Sequence, residues 1–304
     1  MPSSLPVFMV GCGDVGRRLA PLLMQQGLPV VALARSHLAA DRLIQEGITP
    51  YTGDLDPEGS LELPTAPIDT LFYLAPPPST GRTDPRMARF LDALQAPPRR
   101  IVYISTSGVY GDAGGAWIDE SAPLQPKTDR GQRRLHAESL LKAYATTTGS
   151  KVLVLRVPGI YGDGRLPEAR IRAGLPVIDP VEAPWSNRIH VDDLAHVCLR
   201  ATQIDTAFDF RAYNVSDDHP STMTDYFWQV ADHLGLPRPP SIPLAQARQH
   251  LTPAMMTFLE ESKRLMVDRM RDELGVVIQY PTLADGLEAI TAKASQRSLF
   301  PPVR

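Results

Sequence analysis

The chain has 304 residues, 43% of them hydrophobic and 21% charged, with a formal net charge of −3. That length suits one large domain or two modest ones sharing a sheet, and the slightly acidic balance gives no electrostatic reason to expect nucleic acid or an anionic membrane. No apolar run reaches transmembrane length, the opening MPSSLPVFMVG does not read as a signal peptide, and Cys12 and Cys198 have no metal-ligand spacing, so a reducing cytoplasm and no metal are expected.

Pro6–Val10 is a short apolar run before a glycine, too brief for a helix, and predicts a buried strand. Gly11-Cys12-Gly13-Asp14-Val15-Gly16 follows, then an amphipathic segment to Gln26 with Gly27 as its stop, then a second apolar run, Val30–Leu33. Strand, glycine loop, helix and strand within about thirty residues raise GxGxxG from a weak pattern to an expectation of dinucleotide binding. Gly11 would permit the tight turn, Gly13 the approach of a pyrophosphate, and Gly16 the closing of helix on strand. Asp14 and Val15 would open the helix whose N-terminus takes the phosphates. A glycine turn at an ordinary βα junction is the alternative.

An acid at the end of the second strand would read a free ribose 2′-hydroxyl, but the sequence there is Leu33-Ala34-Arg35-Ser36. Arg35 and Ser36 suit a 2′-phosphate, so NADP is expected over NAD; a solvated surface arginine is the plainer reading of Arg35. Asp54, after a third strand, would hydrogen-bond the adenine or make an Asx-turn. Further strands are expected at Thr70–Leu74, Arg100–Ser105 and Lys151–Arg156. Near-continuous apolar strands alternating with helices predict an α/β fold, a Rossmann-type doubly wound parallel sheet. Ala75 and Pro76 open a rigid Ala-Pro-Pro-Pro loop, which would border the nicotinamide or form a plain βα connection.

The order of the remaining motifs carries a resemblance. The glycine loop, STSGVYG at 105–111, DESAPLQP at 119–126, LRVPGIYGDGR at 155–165, NRIHVDDLA at 187–195, YNVSDD at 213–218 and SKRLMVDRMRDELG at 262–275 stand in that order. Together they resemble the extended, atypical short-chain dehydrogenase/reductases of the NAD-dependent epimerase/dehydratase family. The resemblance implies a dinucleotide-binding domain of residues 1–163 plus about 187–216. A small, discontinuous substrate lobe would take about 164–186 plus 217–304, with helices at about 221–235, 244–250 and 253–273. It also implies a small-molecule substrate, with sugar nucleotides in the family's range, and a homodimer in many members through helices that include 129–145. Trp185, Asn187 and Arg188 would line the cleft or serve as packing.

Carried over residue by residue, the hydroxyl that holds the reacting carbonyl falls on Thr106, and Pro158 joins the cofactor contacts. The family tyrosine and lysine slots fall on Arg130 and Arg134. A guanidinium, with a pKa above about 12, cannot exchange a proton near neutral pH. Arg134 would still hold ribose hydroxyls or a phosphate, and Arg130 an anionic substrate group; surface pairing, such as Arg134 with Glu138, is the alternative. Residues 130, 134, 137, 141 and 144 share one helix stripe, with Asp129 as cap and Gln132 at N3. For the missing proton donor Tyr110 is preferred, ahead of Tyr161, Asp112 and Glu120; His136 is expected in solvent and His190 in a structural role. Two functions stay open: an NADP-dependent epimerase, dehydratase or reductase, and a non-catalytic NADP(H)-binding sensor on the same fold.

Overall fold

In the computed structural model, which describes residues 5–56, 61–204, 207–250, 256, 259 and 261–299, seven short strands form one parallel sheet. They are β1 (Val7–Val10), β2 (Val30–Ala34), β3 (Thr49–Thr52), β4 (Thr70–Tyr73), β5 (Arg100–Thr106), β6 (Lys151–Val157) and β7 (Phe210–Asn214). The order across the sheet is β7-β6-β5-β4-β1-β2-β3, every neighbour parallel. This is the doubly wound architecture that the alternation predicts.

The helices include α1 (Asp14–Gln25), α2 (His37–Gln45), α3 (Pro85–Ala93), α4 (Asp129–Thr148), α5 (Glu168–Arg172), α6 (Val191–Ala201), α7 (Met223–His233), α8 (Leu244–His250), α9 (Asp268–Leu274) and α10 (Leu283–Leu299). Alternate residues of β1 feed opposite faces, as the strand period requires. Val7 and Met9 pack with Leu19, Leu23, Val197 and Cys198, whereas Phe8 and Val10 pack with Phe90, Ala137 and Leu141. Each Val, Leu, Phe or Met among them, fully buried, contributes about 1.5–3 kcal/mol, and both faces are covered.

Two features of the sheet position the site. β5 and β6 run in register from Arg100↔Lys151 to Thr106↔Val157, which carries Thr106 past the end of β4. Between β1 and β4 the strand order reverses, and there the two loops part. Gly11 turns at φ +89°, and a Cβ on it would stand 2.5 Å from Ala75 N, so only glycine lets these loops pass. Ligands of such sheets bind in that crevice.

The second half is built from small strand pairs: Gly159–Tyr161 with Arg188–His190, Val177–Ile178 with Ser241–Ile242, and Trp185–Ser186 with Ser221–Thr222. They seat α7, whose Phe227 and Val230 pack with Tyr161, Leu283 and Leu287. The helix expected over 253–273 is not continuous. Residues 253–255, 257–258 and 260 lie outside the described residues, Arg264–Leu265 pairs as a strand with Trp117–Ile118, and helix resumes only at α9. Partners on a distant edge override the helical period of this stretch. Val267, Met270, Leu274 and Val276 pack in the same core as Leu19 and Val197. The α4 cap also differs: Thr128 is the N-cap, its hydroxyl accepting from Gly131 N, and Asp129 is the first helical residue. No helix among the described residues is long and apolar enough to cross a membrane.

Candidate active-site cleft

α1 begins where β1 ends, and its N-terminus has no side-chain cap. By contrast α2, α3 and α4 are capped by Ser36, Asp84 and Thr128. First-turn N–H groups lack intrahelical partners, and the helix dipole places about half a positive charge there, so α1 presents an open anion site. A Cβ on Gly13 would meet no protein atom within 4 Å, whereas one on Gly16 would stand 3.2 Å from Cys12 Sγ and 3.4 Å from Leu74. The loop is therefore closed on its protein side and open where a pyrophosphate fits. Asp14 at the helix start is paired with Arg18 and Arg165. Burial would raise its pKa, but the hydrogen bond from Arg165 and the charge of Arg18 hold it below the usual carboxylate range. Val15 is buried behind it.

At the end of β2 Arg35 is exposed, and it lines a groove of about 800 Å³ that also takes in Gly13, Arg17 and Arg42. Ser36 Oγ accepts from Ala39 N, capping α2. Asp54 Oδ1 accepts from Asp56 N at 3.0 Å, which is the Asx-turn. Ala75 is buried, with its N–H on Val10 O, and Pro76 O accepts from Arg86.

A second cleft, of about 360 Å³, opens at the end of β5 between the sheet and the C-terminal chain. Thr106, Arg130, Pro158, Arg188, Glu261 and Lys263 are among its lining residues. Thr106 Oγ1 accepts from Gly108 N at 3.2 Å, capping the 3-10 turn Ser107–Val109, and its O–H remains to donate. Helix α4 reaches this edge because its first turn carries a glycine: a Cβ on Gly131 would stand 2.9 Å from Gly108 O. Arg130 is exposed on the lining, in the field of Arg134, Arg133 and Glu261. Lys263 is 4% exposed; its Nζ donates to Gly111 O at 2.6 Å and to Glu261 Oε2 at 2.8 Å. Glu261 Oε2 and Thr106 Oγ1 both lie within 4 Å of the point where a Gly108 Cβ would stand. A hydroxyl, a carboxylate and an ammonium thus share one wall.

Several expected site residues are elsewhere. Tyr110, the preferred proton donor, does not line the cleft: it is 4% exposed, accepts from Arg156 Nη1 at 2.9 Å and donates to Asn214 Oδ1 at 2.7 Å. Burial pushes its phenol up to about 12 against the pull of Arg156. The 3-10 turn rotates it beneath the sheet edge. Tyr161 is buried, donating to Thr282 O; Glu120 Oε1 accepts from Asn214 N; Asp112 accepts from Ser262 N and Gly114 N. Arg134 is anchored on β5, with Nη1 donating to Ile104 O at 2.7 Å and to Tyr103 OH at 3.2 Å. The surface pair imagined between Arg134 and Glu138 does not form, because Glu138 turns inward to Arg156. His136 is not free in solvent; its Nδ1 accepts from Asp84 N. His190 is structural, as expected, and its Nδ1 caps α6 at Asp192 N.

Sequence reasoning missed Glu261 and Lys263. Read as helix, they point to different sides; on extended chain, residues two apart share a face. The signal was a charged pair at that spacing beside a hydrophobic run.

Arg188 forms part of the cleft lining, and Asp217 is the acid whose charge acts on it. Burial pushes the Asp217 carboxyl up to about 7, against the hydrogen bond from His219 N and the Arg188 charge. An unfolded aspartate titrates near about 3.9, so the folded chain keeps a proton that the unfolded chain has released. The stability this gives is complete below about pH 4 and lost as pH rises through about 7. Asp217→Asn is therefore expected to gain more at pH 8 than at pH 5, by about 5 °C in Tm. Melting curves showing the same difference from wild type at both pH values would refute it.

Comparison with known proteins gives the family and the fold. The model of the NAD dependent epimerase/dehydratase family matches residues 7–216. Protein YeeZ of Escherichia coli (strain K12) is 28% identical over 287 residues, which span 90% of this chain and 96% of that one. A 3-diazoavenalumate denitrifying reductase from a Streptomyces species is 26% identical over 297 residues, 90% of this chain and 96% of its own. Among solved structures, a functionally unknown conserved protein from Silicibacter pomeroyi DSS superimposes with a TM-score of 0.79 and 32% identity, covering 96% of this chain and 99% of that chain.

Proposed function

The chain belongs to the NAD dependent epimerase/dehydratase family, and from that premise we propose that it is an NADP-dependent reductase of a small molecule whose proton donor is Lys263. The observation that carries the reading is the wall shared by Thr106, Glu261 and Lys263 at the end of β5, on a sheet whose α1 starts uncapped. The Streptomyces relative is a reductase by name, which favours reduction over epimerisation or dehydration.

The pyrophosphate would lie on Gly11, Gly13, Asp14, Val15 and Gly16, the 2′-phosphate on Arg35 with Ser36, and the remaining contacts on Asp54, Ala75, Pro76 and Pro158. Arg134 would take ribose hydroxyls in the lysine slot, since its Nε and Nη2 have no protein partner among the described residues. When bound, the nicotinamide supplies a hydride to the substrate carbon. Thr106 donates its hydroxyl hydrogen to the reacting carbonyl oxygen. Lys263 gives that oxygen its proton, and Glu261, whose Oε2 accepts from Lys263 Nζ at 2.8 Å, aims the ammonium.

A fluorescence titration with NADPH and, separately, NADH tests the cofactor half. NADPH is expected to bind the more tightly. Arg35→Ala should weaken NADPH by about 1.5–3 kcal/mol, one charge-assisted pair, and leave NADH nearly unchanged. Equal losses for both would remove Arg35 from the 2′ site, and no binding of either would remove the reductase reading. NADPH binding without oxidation by any carbonyl compound would favour the sensor.

A further inference from the structure

Arg188 is a buried cation in want of an anion. It is 8% exposed, and no carboxylate among the described residues makes an ion pair with it. Its Nη2 donates to two neutral atoms, Ser186 Oγ and Met223 Sδ, both at 3.1 Å. Its Nε is buried without a hydrogen-bond partner, and its Nη1 has no protein acceptor among the described residues. The guanidinium carbon lies 3.5 Å from the centroid of the Tyr226 ring, which fixes the plane of the fork. Nη1 stands 2.7 Å from where a Cβ on Gly159 would be, so this glycine makes the room that the guanidinium fills.

Burying an unpaired charge costs several kcal/mol, and a site that retains one beside a cleft is a candidate for function. Asp217 influences Arg188 but sits beyond ion-pair distance, and its carboxyl tends to keep its proton. The other neighbours are tyrosines, Tyr161 and Tyr226, which are uncharged at neutral pH. No group of the protein answers the charge directly.

Building on the reductase reading of this cleft, we propose that Arg188 is the subsite for an oxyanion of the substrate, a carboxylate or phosphate carried away from the reacting carbon. Nη1, which has no protein acceptor among the described residues, is left to donate to such a group in a charge-assisted hydrogen bond, while Nη2 stays on Ser186 and Met223 and holds the plane. Arg130 and Lys263 line the same cleft, with Glu261, paired to Lys263, as the acid of that lining. Substrates without an acidic group would leave Arg188 buried and unanswered, which is how the site would reject them.

Isothermal titration of the NADPH-loaded wild-type protein with benzoate and with benzamide tests this, because the two differ little except in charge. Loading with NADPH keeps anions from the cofactor's own phosphate positions. Benzoate is expected to bind at least about tenfold more tightly than benzamide, and Arg188→Met to abolish the preference. Equal binding of the two by wild type, or a preference that survives Arg188→Met, overturns the proposal. Should Arg188→Met not fold, the wild-type comparison still decides. Inorganic phosphate competing with benzoate would assign the subsite to phosphate as well; failure to compete, with the benzoate preference intact, would assign it to carboxylates. If NADPH does not load, the reductase reading falls, and the same comparison on the free protein still judges Arg188.

Discussion

Lys263→Met is expected to slow NADPH oxidation with 4-carboxybenzaldehyde by about 10²–10⁴-fold while leaving NADPH affinity within about twofold of wild type. The aldehyde combines a reducible carbonyl with the anion that the Arg188 subsite would take. The size of the effect follows from the lack of a substitute. Arg130 and Arg134 occupy the family's acid-base slots and cannot release a proton near neutral pH. Tyr110 spends its hydroxyl hydrogen on Asn214 and lies off the cleft. Two of the three Lys263 ammonium hydrogens go to Gly111 O and Glu261 Oε2, which leaves one for the substrate. Because Lys263 also ties the Gly111 turn to the C-terminal chain, Glu261→Gln is the companion variant. It keeps the shape and weakens the charge-assisted hydrogen bond that aims the ammonium, so a fall in kcat of about tenfold with KM unchanged is expected. Wild-type kcat in both variants would sink the assignment.

The sheet was legible because its signals are local. β1, the glycine loop, α1 and β2 announce themselves in one short stretch, each with its own period and its own stop. Even there the sequence named Gly11 without naming what it must clear, since Ala75 arrives from another strand. The site was legible only in part. Thr106 and the two arginine slots follow from the family resemblance carried onto β5 and α4. Tyr110 looked available because it is close to Thr106 in sequence, yet one 3-10 turn sends it under the sheet. Glu261 and Lys263 were hidden by a helical period that pairing with Trp117–Ile118 overrules. Arg188 was seen as a lining candidate, but whether it had a carboxylate partner depends on packing against α7 that no spacing encodes.

Arg156→Met is expected to destabilise the fold by about 3–5 kcal/mol, seen in urea denaturation and as a fall in Tm of about 10 °C. Arg156 is 4% exposed and Glu138 3%, and their ion pair is 2.9 Å long. Ser105 Oγ donates to the other carboxylate oxygen at 2.5 Å. On its far side Arg156 donates to Tyr110 OH, Tyr110 donates to Asn214, and Asn214 Nδ2 donates to Met266 O. One buried network therefore ties β5, α4, β6 and β7 to the chain that carries Lys263. Removing the guanidinium alone leaves Glu138 an anion in the core, with a serine as its remaining hydrogen-bond donor, and that desolvated charge is the main cost. Replacing both partners, Arg156→Met with Glu138→Leu, removes the charge along with its counterion and should recover most of the loss. A double variant as unstable as the single one would mean that the links through Tyr110 and Asn214, and not the ion pair, hold this edge of the sheet. A single variant within about 1 kcal/mol of wild type would mean that water or a rearranged neighbour satisfies Glu138. The recovered double variant also separates stability from chemistry: if it folds but its Thr106 and Lys263 no longer act together, turnover stays low although the melting temperature has returned.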